Sequence, residues 1–153
     1  VSRALSNFSF GTNFSLVESR IDISPEQLQL MRLNNPEMDS KRPLEGQSPF
    51  LLNFNLGYDN FESGLSAHVY YNVFGERLSE WNKTGEPFVY EQPAHTLNAS
   101  VNYQLGDHMK IKFSGNNLLN TKHKKTQVYQ GTEYIFTQYT NGTTFSLGLD
   151  YSL

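Results

Sequence analysis

Residues Ala94 to Leu105 read A-H-T-L-N-A-S-V-N-Y-Q-L. Leu97, Ala99, Val101, Tyr103 and Leu105 fall on one parity, while Thr96, Asn98, Ser100, Asn102 and Gln104 fall on the other. Side chains of an extended strand point alternately to opposite faces, so this spacing predicts a strand with one apolar face and one amide- and hydroxyl-bearing face. A solvent-facing sheet surface ordinarily carries Lys and Glu; here the polar face is built of Asn, Ser, Thr and Gln.

The same alternation recurs on either side. A first strand over about 2–21 sets Ala4, Phe8, Phe10, Phe14 and Leu16 against Arg3, Asn7, Ser9, Gly11, Asn13 and Ser15. A second, about 48–58, carries Phe50, Leu52, Phe54, Leu56 and Tyr58 on its apolar side. A third, about 61–74, carries Phe61, Leu65, Ala67, Val69, Tyr71 and Val73. Beyond the opening stretch, 108–116 places Met109, Ile111 and Phe113 on one side, and 143–153 places Phe145, Leu147, Leu149, Tyr151 and Leu153. Pro25–Met31 reads as a short helical turn. All six prolines fall in connections or at strand starts, where a missing N–H is tolerated.

The connections alternate in length. Asp59-Asn60 and Gly106-Asp107 read as tight hairpin turns, whereas 22–47, 75–93 and 117–142 are long. Antiparallel order puts the short turns at one end and the long loops at the other, the asymmetry of bacterial outer-membrane barrels. Aromatics gather at two heights on the apolar face: Tyr58, Phe61, Tyr103 and Tyr151 toward the short turns, Phe14, Phe50, Tyr71, Phe113 and Phe145 toward the loops. Phe50 to Tyr58 spans roughly 26 Å of strand, or on the order of 20 Å in height when tilted, close to the apolar band of such a barrel. The expected fold is therefore all-β, an antiparallel up-and-down transmembrane β-barrel segment of about six strands. Six strands cannot close a barrel, and Val1 enters a strand already under way, so residues 1–153 are expected to be a fragment of one larger barrel domain. A soluble antiparallel sheet that binds a ligand or glycan also alternates in this way and is the alternative; a porin-like channel is a third.

Composition narrows the chemistry. Of 153 residues, 18% are charged and the net charge is −3, which gives nucleic acid nothing to bind. Cysteine is absent, so disulfides and thiolate metal sites are not available. His68, His95, His108 and His123 share neither a face nor a close spacing, which argues against a metal centre, and no cofactor is expected. Ser100 and His95 lie on opposite faces of one strand and cannot form a nucleophile–base pair; no catalytic residues and no enzyme activity are expected. The long loops hold Trp81, Phe88, Tyr90, Tyr129, Tyr134, Phe136 and Tyr139. Among them Trp81, Tyr90, Tyr134 and Phe136 are the candidate ligand contacts, since exposed rings suit stacking on sugars or catecholates. The run Lys122-His123-Lys124-Lys125 is a possible anion site or a lipopolysaccharide contact.

Three segments carry a family resemblance. R-P-L-E-G-Q-S-P-F-L-L-N (Arg42 to Asn53), Y-Y-N-V-F-G-E-R-L (Tyr70 to Leu78) and S-G-N-N-L-L-N (Ser114 to Asn120) follow one another in the order and spacing of the C-terminal barrel region of TonB-dependent outer-membrane receptors. Q-V-Y-Q-G (Gln127 to Gly131) and the aromatic Tyr151 fit as well. The resemblance covers about 42–153 well, and 1–41 only by strand pattern. It implies a barrel of about 22 strands around an N-terminal plug. It also implies uptake of a bulky nutrient (siderophore, cobalamin or glycan) across the bacterial outer membrane. Implied partners are outer-membrane lipid and lipopolysaccharide, the rest of the barrel and its plug, the TonB complex through the missing N-terminal part, and a small-molecule or glycan ligand. Tyr151 and Leu153 would then serve barrel assembly and closure. The family typically ends in Phe, whereas this chain ends in Leu153.

Overall fold

A computed structural model describes residues 7–152. The parts of the first strand before Asn7, including Arg3 and Ala4, and the terminal Leu153 lie outside the described residues. Six strands form the main sheet: β1 (Phe8–Leu16), β4 (Phe50–Asn60), β5 (Leu65–Phe74), β8 (His95–Leu105), β9 (Met109–Asn116) and β12 (Thr144–Tyr151). Their lateral order is β1-β4-β5-β8-β9-β12, antiparallel throughout. The fold is all-β apart from one helix, and the six expected strands are all present.

The register turns separate alternations into rows. Phe10, Leu56, Val69, Ala99, Gly115 and Phe145 stand side by side across all six strands, and Phe8, Tyr58, Ala67, Val101, Phe113 and Leu147 form the next row on that face. The opposite face carries Ser9, Gly57, His68, Ser100, Ser114 and Ser146 in one row, and Asn13, Asn53, Asn72 and Thr96 in another. Asn72 Nδ2 donates to Asn53 Oδ1 at 2.6 Å, and the row of Lys112 is neutralised by an ion pair to Asp150. Gly57 leaves room for its neighbours, since a Cβ there would meet Ser9 Oγ at 2.4 Å and His68 Nδ1 at 2.9 Å and oblige those side chains to turn aside.

Neither face of this sheet is the core. Phe10 is 66% exposed, Phe145 61% and Leu147 75%. Burial is concentrated beyond the long-connection end instead. Ile23, Met31 and Met38 form a cluster closed by Leu28 and Phe88, and Leu78 is fully buried nearby.

Two of the connections expected to be loops are built as sheet. β6 (Arg77–Glu80), β7 (Val89–Glu91), β10 (Lys122–Tyr129) and β11 (Thr132–Thr140) form a four-stranded sheet in the order β11-β10-β7-β6. That order repeats β12-β9-β8-β5, since each strand continues one strand of the main sheet past a short joint. The hairpin turn at Gln130-Gly131 has φ of 49° and 76°, the doubly left-handed geometry that matches strand twist.

The remaining long connection carries β2 (Ile21–Asp22), paired with β3 (Lys41–Arg42), and between them α1 (Pro25–Asn34). The expected helical turn is thus a full ten-residue helix. Ser24 caps it by accepting from Gln27 N–H at 3.3 Å, Pro25 opens its first turn, and Arg32 in the last turn donates to the Met38 carbonyl at 3.0 and 3.2 Å. One turn is also corrected. Asp59 and Asn60 belong to β4, and Phe61 stands in the turn at 94% exposure, not in the apolar row of β5. Asn60 Oδ1 accepts from Glu62 and Ser63 N–H at 3.0 Å each, which moves the reversal onward to residues 61–64, closed by Gly64 at φ 70°.

Two segments of the family resemblance, Tyr70–Leu78 and Ser114–Asn120, span joints between the two larger sheets, and the third, Arg42–Asn53, enters β4 beside the first joint. Buried Ser48 Oγ reaches the carbonyls of Phe50 and Gly75, both at 2.8 Å, tying the start of β4 to the β5–β6 joint. Arg77 pairs with the largely covered Glu91 through Nε and Nη2, each at 2.7 Å, while its guanidinium lies 4.4 Å from the Phe74 ring centroid. Asn117, at φ 52°, ties β8 to the connections before β10 and before β12. Its N–H donates to Asn98 Oδ1 at 2.9 Å, its Nδ2 to the Gly142 carbonyl at 2.8 Å, and its Oδ1 accepts from Thr121 N–H. Asn117→Ala removes two of these bonds at a left-handed position and is expected to cost about 2–3 kcal/mol. Denaturant titration of the folded protein checks this; a loss below about 0.5 kcal/mol contradicts it.

Candidate functional site

The β6–β7 and β10–β11 hairpins line a half-open cavity of about 550 Å³, within the size range of small-ligand sites. Its aromatic walls are Trp81, Tyr129, Tyr134 and Phe136, and its polar walls are Glu80, Asn82, Glu86 and Gln127, with Pro87 and Val89 beneath. Register explains the convergence. Glu80 stands opposite Val89, Val89 opposite Gln127, and Gln127 opposite Tyr134, so one row of the four-stranded sheet supplies the floor. A bulge between Lys125 and Thr126 leaves Phe136 without a partner and adds it to the same wall.

The rim is held by local bonding. Asn82 Oδ1 accepts from Thr84 N–H and Gly85 N–H, both at 3.1 Å, and from the Thr84 hydroxyl, while Asn82 Nδ2 reaches Glu86 at 3.3 Å. Helix α1 braces the rim from behind, with Gln27 Nε2 donating to the Lys83 carbonyl at 2.5 Å and Asn34 Nδ2 to the Thr84 carbonyl at 2.7 Å. The Arg42 guanidinium covers the Trp81 ring, 4.0 Å from its centroid.

Three of the four candidate contacts, Trp81, Tyr134 and Phe136, therefore meet in one cavity. Tyr90 does not join them. It pairs with Leu78 and Thr126 on the opposite face of its sheet and lines a smaller hollow with Glu76, Arg77 and Pro43. Of the other loop aromatics, Phe88 packs into the α1 cluster and Tyr139 stacks on His123 at 5.1 Å. The basic run forms no patch: Lys124 bonds Glu133 at 2.6 Å and Lys125 bonds Glu80 at 2.9 Å, on alternate faces of β10. Tyr151 ends β12 opposite Met109, and next to it Ser152 N–H donates to the His108 carbonyl at 2.9 Å. Its proposed closure partner Leu153 is not among the described residues.

Glu80, Asn82, Glu86 and Gln127 were not evident as site residues. The usable signal was the Gln130-Gly131 turn, which pairs Gln127 with Tyr134 once 122–140 is read as a hairpin.

Burial raises the Tyr90 phenol above its ordinary value of 10.0, and the nearby Glu76 carboxylate adds to the rise. The unfolded phenol ionises near 10.0 while the folded one holds its proton longer, so this stabilisation is full below that pH and is lost as pH climbs through the folded value. Tyr90→Phe is expected to flatten the alkaline loss of stability above pH ~10. Equal alkaline slopes for the two proteins contradict this.

Compared with known proteins, the chain matches no family model, no curated protein and no solved structure.

Proposed function

We propose that this chain is a wall segment of a transmembrane β-barrel in a bacterial outer membrane, the C-terminal part of a TonB-dependent receptor that takes up a bulky nutrient. The observation that carries the reading is the set of apolar rows across six strands, exposed on the outer strands, half-buried across the middle ones and backed by rows of Ser, Asn and Thr. Each large apolar side chain left in water forgoes on the order of 1 kcal/mol or more, so a face of this extent calls for a covering phase. Lipid is that phase here.

Height supports the reading. On β8 the apolar face runs from His95 to Leu105, roughly 33 Å of strand and about 25 Å of height at a tilt of ~40°. At the loop end it is bounded by Tyr71 Oη bonded to His95 Nδ1 at 2.6 Å, and at the turn end by Tyr103 and Tyr151, amphipathic groups suited to the two interfaces. β1 and β12 each have a single strand partner among the described residues, and an open edge in lipid leaves N–H and C=O groups without hydrogen bonds. Further strands must therefore complete the wall. The outer hairpins then present the cavity to ligand arriving from outside.

Partitioning tests this against a soluble glycan-binding sheet. The chain is expected to precipitate on dilution into buffer and to enter phosphatidylcholine vesicles only as an assembly of several copies that pairs its open edges, with a strand-type circular dichroism spectrum. A monodisperse, folded species in buffer without detergent overturns the barrel reading.

A further inference from the structure

The charge of the cavity bears on what it admits. Its lining includes two carboxylates, Glu80 and Glu86, and no Lys or Arg. Two cations that reach lining residues are already engaged, Lys125 with Glu80 at 2.9 Å and Arg42 with the face of Trp81. An anionic chelate entering here meets the uncompensated charge of Glu86 and no unengaged positive group in the lining, which opposes binding where water is displaced.

The remaining chemistry matches a neutral polyol. Vicinal hydroxyls are donors and acceptors at once. The walls alternate in kind, with carboxylates that accept, the Gln127 amide that does both, and the phenols of Tyr129 and Tyr134 that do both. Trp81 has its ring covered on one side by Arg42 and also lines the cavity, where an indole suits the apolar C–H surface of a sugar ring. A simple cation finds less: Glu80 is neutralised by Lys125, and Glu86 is engaged by Asn82 Nδ2.

We infer that the cavity selects an uncharged carbohydrate, in the size range of a short oligosaccharide, and rejects anionic catecholate chelates. The inference rests on the receptor reading for the side from which ligand arrives, but the selectivity comes from the lining alone.

Trp81 is the single tryptophan of the chain, so its emission reports the site without interference. The probes are cellohexaose, xylohexaose and maltohexaose, with 2,3-dihydroxybenzoate and spermidine as the anionic and cationic competitors, titrated against the full chain inserted in vesicles. At least one hexasaccharide is expected to shift the emission saturably, Tyr134→Ala to weaken that binding about tenfold, and both charged probes to leave emission unchanged. Glu86→Gln is expected to let the catecholate in. A response to the catecholate or to spermidine at lower concentration than to any hexasaccharide overturns the inference, as does silence toward all three sugars. Insertion is read on the same sample. A chain that inserts but ignores the sugars sinks the carbohydrate site alone. A chain that binds sugar as a monodisperse species in plain buffer keeps that site and sinks the barrel.

Discussion

Ala99→Arg is expected to lower the stability of the membrane-assembled barrel by about 2–4 kcal/mol, while Ser100→Arg, one residue along the same strand, changes it by about 1 kcal/mol or less. Ala99 lies in the row between Val69 and Gly115, well inside the apolar band, and its neighbours on that face offer no carboxylate. A guanidinium there must shed water in hydrocarbon or drag water in with it. Ser100 points the other way, between His68 and Ser114, where hydroxyl and ring nitrogen atoms can solvate a charge. Urea titration in vesicles of the two variants gives the difference directly. Equal losses contradict the assignment of faces, and so does a larger loss for Ser100→Arg.

Gly85→Ala is expected to cost about 2–4 kcal/mol in the outer domain and to open the cavity rim. Gly85 has φ 86°, and a Cβ on it would stand 2.1 Å from the Met31 carbonyl oxygen. That neighbour is helix backbone and cannot rotate aside. The helix must back away, giving up the bonds from Gln27 to Lys83 and from Asn34 to Thr84. Reduced hydrogen-exchange protection in α1 and a red shift of Trp81 emission are the expected readouts. Gly46→Ala is the matched control, since Gly46 has φ 78° with nothing within 4 Å of the added methyl. It should show only the conformational penalty of about 1 kcal/mol. Equal effects at the two glycines contradict a role for the contact with α1.

The six-stranded sheet was legible in the sequence because every one of its strands is long enough to show its period, with few breaks such as Thr12 and Gly115. His95–Leu105 alternates through eleven residues. β6 and β7, at four and three residues, are too short to display a period at all. In β10 and β11 the bulge at Lys125/Thr126 shifts parity midway, so the pattern cancels over the full hairpin. Phe61 was assigned to the apolar face because parity continues through it. The reversal is set by the Asn60 side chain and the left-handed Gly64, which outweigh the aromatic's preference for a strand. The helix was hard to see for another reason: Leu28 and Met31 pack inward, but Leu30 and Leu33 remain exposed, so its apolar residues do not form one stripe.

The site was legible in part for related reasons. Aromatic content pointed to Trp81, Tyr134 and Phe136 without any knowledge of strand direction. Tyr90 has the same composition but the opposite parity, and β7 is too short to reveal it. The polar walls depend on cross-strand register, which single-strand periodicity does not encode. The segments that carried the family resemblance have their own explanation. Ser48, Arg77 and Asn117 lock the joints where strands of the six-stranded sheet hand over to those of the four-stranded sheet, so their spacing follows the architecture and not the ligand.

The most direct test of the account is a cysteine scan with nitroxide labels through Leu97–Gln104 in lipid vesicles, clean because the chain has no native cysteine. Labels at 97, 99, 101 and 103 are predicted to collide strongly with dissolved oxygen and weakly with a water-soluble nickel chelate, with the preference reversed at 98, 100, 102 and 104. Accessibility without that two-residue alternation, or odd-numbered positions shielded from oxygen inside packed protein, would contradict the claim that this face meets lipid.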